Sequence, residues 1–270
     1  MKKVVIIVFL FLLSCIIAFY LRFPSDLCRD ITERITNSNT SFDTNVSNCE
    51  VAFPFGLRYT DIELRPLSEP GMKPLKIKKL IVRPSLLSLI QGKTGLVLKA
   101  HISDGQVAGQ INWPHLLSFR GKSWGGIRIH NLRLSSLSSF HTFIGHELEG
   151  TLEGNVIWRS SEQANASFRI LKGYYRPHLT GAEKLEFAHL GGRMQLNEQI
   201  LTIDNVNVRG INFHAALKGT ININRQEVKK STISLTLDLL RPPGGHTGME
   251  IKGTLQEPQI LPILSRAPAS

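Results

Sequence analysis

The chain has 270 residues, 42% of them apolar and 20% charged, with a formal net charge of +11. That balance excludes a disordered polyelectrolyte and provides for one sizeable domain or two small ones. Removing Lys2 and Lys3 leaves +9 (11 − 2), a surplus that favours acidic partners such as headgroups. No run of five or six basic residues occurs, so nucleic acid is not an expected partner.

Val4 to Leu21 is 18 residues without a charge, close to the ~20 that a membrane-spanning helix needs. Lys2 and Lys3 before it predict a cytoplasmic N-terminus and export of the remainder. Residues 1–22 therefore read as a cytoplasmic stub and an uncleaved anchor. Leu12-Leu13-Ser14-Cys15 also matches a lipobox, but the apolar run continues past it to Leu21. A cleavable signal would need a small-residue site after the run, and none is clear.

Residues 23–50 read as a juxtamembrane helix and loop. Ser25 can cap a helix through Thr36, with Leu27, Ile31 and Ile35 recurring every four residues. Two readings of that stripe stand: packing against the domain, which its shortness favours, or lying on a membrane surface. Thr36 to Asn48 is rich in Asn, Ser and Thr and reads as loop. Cys28 and Cys49 lie in the exported part and can pair there, although spacing alone does not show pairing.

Residues 51–260 read as a β-domain, followed by a loose tail over 261–270. In Val51 to Leu64, Leu57 and Tyr59 give way after a shift to Ile62 and Leu64, which predicts a strand broken near Thr60. Leu75, Ile77, Leu80 and Val82 mark the next strand, stopped at Pro84. Leu86, Leu87, Leu89 and Ile90 make a short helix ended by Gly92. Leu96, Leu98, Ala100 and Ile102 then alternate with polar neighbours. Asp104-Gly105 signals a hairpin, and Val107, Gly109, Ile111 and Trp113 return. A related pattern begins at Ile127 and Ile129, with Gly145 placed 53 residues after Gly92. It predicts a repeated β-unit with a short helix that plugs the sheet in both copies. Alternating strands continue to Leu255.

Catalytic chemistry is absent from the pattern. Gly92-Lys93-Thr94 ends like a P-loop, but Leu87 stands where its first glycine belongs. His141, His146 and Glu147 lack the usual metal-ligand spacing, and no nucleophile–base pair is legible. Neither a cofactor nor a metal nor an enzymatic role is expected.

Several short motifs resemble the type II secretion system protein N (GspN) family. They are Phe23-Pro24, Phe53-Pro54-Phe55-Gly56-Leu57, Val82 to Leu89 with Gly92, Asp104-Gly105 with Gly109, and His146 to Gly150. Ile251 to Leu255 with Pro258 also looks like the closing strand of AsmA-like periplasmic proteins. The resemblance implies a single-pass inner-membrane protein with a curved, largely antiparallel periplasmic sheet, partnered by inner- and outer-membrane subunits of the secretion apparatus. The AsmA-like features imply phospholipid handling instead. On either reading Leu96, Leu98, Ala100, Ile102, Val107, Ile111, Ile127 and Ile129 form the apolar face that meets partner, core or lipid; period two does not separate these.

Overall fold

A computed structural model describes residues 14, 22–39, 42–53, 55–67, 74–116, 121–137, 147–176, 184–224, 226–241 and 245–263. The expected membrane anchor, Val4 to Leu21, lies almost wholly outside these residues. Among the described residues no helix is long and apolar enough to cross a membrane.

The chain is mainly β and forms one fourteen-stranded antiparallel sheet in which every strand pairs only with its chain neighbours. The strands are β1 (Phe42–Ala52), β2 (Gly56–Pro66), β3 (Leu75–Pro84), β4 (Thr94–Ile102), β5 (Gly105–Trp113), β6 (Trp124–Arg133) and β7 (Glu147–Ser160). They continue as β8 (Gln163–Arg176), β9 (Leu185–Asn197), β10 (Ile200–Gly210), β11 (His214–Asn222), β12 (Thr232–Arg241), β13 (Gly245–Thr254) and β14 (Pro258–Ile263). Among the described residues no strand joins β14 to β1, and the sheet is open, about 60 Å across its thirteen spacings. Helix α1 (Ser25–Asn39) lies against β1, and α2 (Leu86–Ile90) links β3 to β4.

Three sequence expectations are corrected at the ends of the chain. The presumed loop to Asn48 holds most of β1, because Val46 and Cys49 have buried partners in Ile62 and Tyr59. The broken strand from Val51 is instead the end of β1 at Ala52 and, from Gly56, the separate strand β2. The tail begins too early at 261, since β14 pairs with β13 as far as Ile263.

The break near Thr60 is present. Asp61 takes φ 51, and the inward positions shift from Leu57 and Tyr59 to Ile62 and Leu64. A three-residue step of this kind, one residue longer than the strand period, returns the apolar set to the same face after an irregularity. Ile129 to Leu132 repeats it around Asn131 (φ 55), and Ile203 to Val206 repeats it again.

The repeat expectation is corrected too. β3 and β6 are three strands apart, an odd number, so they run in opposite directions. The link after β3 therefore lies at the opposite rim from the link after β6. The link after β6 begins with a 3-10 turn, Leu134–Ser136, and the rest of its expected helix, with Gly145, falls outside the described residues. The two links also pack differently. Leu134 is only 1% exposed and joins Ile170 and Phe187 in a core cluster. In α2 the buried residue is Ser88, whose hydroxyl lies 2.9 Å from Ser85 and 2.8 Å from the Asn112 Oδ1. Leu86, Leu87 and Ile90 point to solvent, so α2 is not an apolar plug.

A second cluster packs Val46, Cys49, Tyr59 and Ile62 beneath α1. Cys28 and Cys49 are bonded, with Cα atoms 6.3 Å apart, which ties the start of α1 to the end of β1. Further along, Glu33 Oε1 accepts from the Val46 amide at 2.7 Å, and Asn37 Oδ1 accepts from the Thr44 amide at 2.7 Å. These amides belong to the outer edge of β1, so α1 satisfies an edge that would otherwise offer itself to another strand.

Candidate functional face

Inter-strand register decides which side chains share a face, because paired residues point the same way. One paired row starts at Val51 and Leu57 and continues through Val82, Leu98, Gly109, Ile127 and Val156. It goes on through Ala166, Met194, Ile203, Gly219, Leu235, Ile251 and Ile260. The row crosses all fourteen strands without one polar residue. The adjoining row on the same face is apolar throughout as well. It runs from Cys49 and Tyr59 through Leu80, Ala100, Val107, Ile129, Gly154 and Phe168. Gly192, Val206, Leu217, Leu237, Met249 and Pro262 complete it.

Rows on the opposite face have a different chemistry. Lys99, Ala108, Arg128, Asn155, Ser167, Arg193 and Asn205 form one, and Thr220, Ser234, Lys252 and Gln259 another. The sheet is thus sided along its whole width. α1 covers the apolar face at β1 and β2, and the turn at Leu134 covers part of it near β8 and β9. Elsewhere the main contacts of each strand, among the described residues, are with its chain neighbours only. From β3 to β6 and from β10 to β13 most of the apolar side chains are half-buried rather than packed under a second layer.

The eight residues singled out from the sequence all fall on this face. Leu96 pairs Ile111, Ala100 pairs Val107, Val107 pairs Ile129, and Leu98 and Ile127 are joined through Gly109. Ile102 is buried, whereas the other seven are half-buried. The continuation across β7 to β13 was not singled out. Its signal was present as alternation, but glycines at 154, 192 and 219 and the three-residue steps interrupt the period that reveals a shared face.

Compared with protein-family models, curated proteins and solved structures, the chain matches none.

The polar face holds an open cleft of about 890 Å³ across β6 to β10. Arg128, His130, Glu153, Arg169, His189, Arg193 and Asp204 line it. Glu153 is held by the Arg169 guanidinium, and the His130 Nδ1 lies 3.7 Å from its carboxylate. No nucleophile and base are paired in it. Among the described residues no three His, Cys, Asp or Glu side chains are grouped to hold a metal. His141 and His146 lie outside the described residues. Glu147 receives the Tyr174 hydroxyl at 2.8 Å and Arg176 at 3.2 Å. That hydrogen bond to a carboxylate, with burial, pushes the Tyr174 phenol far above its usual range. The Tyr175 phenol is raised by burial alone.

Proposed function

We propose that this chain is a non-enzymatic, membrane-anchored β-scaffold whose open face holds the acyl chains of phospholipid. The observation that carries the reading is the pair of uninterrupted apolar rows which, among the described residues, have no second layer over β3 to β6 and β10 to β13. An exposed apolar patch on a monomer seldom exceeds a few hundred Å². Three strand spacings in each stretch, six in all, by nine residues give a surface of roughly 900 Å², which calls for an apolar occupant. Val4 to Leu21 supplies the anchor, and the Cys28–Cys49 bond suits the oxidising side of a bacterial inner membrane. The AsmA-like resemblance points the same way.

The test compares lipid bound to the full chain with that bound to a Val107→Asp/Leu237→Asp variant, by native mass spectrometry. The anchor's own lipids are common to both. The wild-type chain is expected to carry additional phospholipid, and a Lys99→Asp variant, changed on the opposite face, is expected to keep it. Equal lipid in all three would refute the reading.

A second reading, as a subunit of the type II secretion apparatus, draws on one observation. β14 is a free edge with all six residues exposed, Ile260, Leu261 and Ile263 among them. Such an edge can accept a partner strand, although Pro258 and Pro262 remove two donors. A photocrosslinker at Leu261 in intact envelopes would capture secretion subunits on this reading; capture of none sinks it.

A further inference from the structure

The sequence favoured packing of the α1 apolar stripe against the domain, and the structure reverses this. Leu27, Ile31 and Ile35 are 56%, 48% and 57% exposed. The side of α1 that meets the sheet is built from Cys28, Thr32, Glu33 and Asn37. At 3.6 residues per turn, the centres of the two sides lie about 150° apart. A surface helix ordinarily turns its apolar stripe to the core and its polar side to water. Here the polar side is occupied with the β1 backbone and the apolar stripe looks outward.

We infer that α1 lies in the surface of the lipid bilayer, with Leu27, Ile31 and Ile35 among the acyl chains, and seats the β1 end of the sheet on the membrane. Two observations select lipid as the occupant. The 18-residue apolar run ends at Leu21, four positions before α1 begins, so the helix starts where the chain would leave a bilayer. The helix runs antiparallel to β1, which places its start beside the β1–β2 turn, and that turn carries exposed Phe53 and Phe55. Amphipathic helices of this kind lie in the interface plane with apolar side chains at the headgroup–acyl boundary. The disulfide and the two side-chain caps hold α1 rigidly to the sheet, so the helix sets the posture of the whole domain.

This inference rests on the anchor proposed above, and its test separates the two. The full chain carrying Cys15→Ser is labelled with a nitroxide at Ile31→Cys, Asp30→Cys or Lys252→Cys and reconstituted in phosphatidylethanolamine–phosphatidylglycerol bilayers. A water-soluble nickel chelate is expected to relax the label at Ile31 about five-fold less than that at Lys252, as burial at the headgroup–acyl boundary requires. Asp30 should resemble Lys252. If the chain stays in the bilayer after alkaline extraction but Ile31 and Asp30 respond alike, the interfacial helix is overturned and the anchor stands. Dipolar broadening between labels at Ile31 would show a second copy on the stripe and overturn it too. A chain that alkali extracts overturns both. An intact Cys28–Cys49 bond in each labelled protein shows that the label has not displaced the helix.

Discussion

Cys28 and Cys49 close a loop over a sequence separation of 21 residues, and the bond joins α1 to β1. Loop-closure entropy sets its contribution at about 3 kcal/mol. A Cys28→Ala/Cys49→Ala variant should lose about that much in a denaturant titration, with faster amide exchange concentrated in α1 and β1. Leu134 acts at the same scale. Truncation to Ala removes a side chain held in the β8–β9 cluster and should cost about 2–5 kcal/mol. Tyr174 gives a pH-dependent case. Its neutral phenol donates to Glu147, so its folded-state pKa lies above the unfolded value of about 10. A raised value of this sign means that the stabilisation is complete below about pH 10 and is lost as the pH rises beyond it. In Glu147→Gln the Tyr174 phenolate should form at lower pH than in the wild-type chain, as read by ultraviolet difference absorbance. An unchanged titration would show that Glu147 is not the cause.

The elements show where sequence reasoning reaches and where it stops. Strands β3, β4 and β5 were legible because their apolar residues alternate cleanly and Pro84, Gly92 and Gly105 punctuate them. The step from Tyr59 to Ile62 was legible as a shift, and it proved to be one of several irregularities of one kind. β1 was missed because Thr44, Asn45, Ser47 and Asn48 look like loop composition. Its partners are a helix that caps its amides and a neighbouring strand, and neither is visible locally. α1 was placed correctly at its start but turned the wrong way, because an apolar stripe alone does not say which side a disulfide and two caps will hold. The edge it protects is testable. Glu33→Ala leaves the Val46 amide without its acceptor, which should cost about 1–2 kcal/mol and speed exchange at Val46 before other β1 amides. Uniform exchange across β1 would mean that the helix gives no edge protection.

At the scale of the whole molecule, the sheet has two unlike ends. α1 covers the β1 end, and the other ends in β14, a short exposed strand bearing two prolines. Between them the apolar rows extend for about 60 Å, roughly twice the thickness of a bilayer's hydrocarbon core. Local pattern could not reveal this. Apolar alternation is common to a closed barrel, a sandwich and an open sheet, and the difference lies in which strand meets β14 and what covers the face. The strand order answers the first, and the two core clusters show how little of the face is covered from within. This open face and the apolar run that precedes α1 carry the proposal that the protein works against lipid. The most direct test is a benzophenone placed on the apolar row at Ile127, with a second at Arg128 on the polar face, in the full chain within native membranes. Lipid adducts at Ile127 and none at Arg128 are the predicted result. Adducts confined to the protein itself at Ile127, or lipid captured equally at both positions, would contradict the assignment of the face.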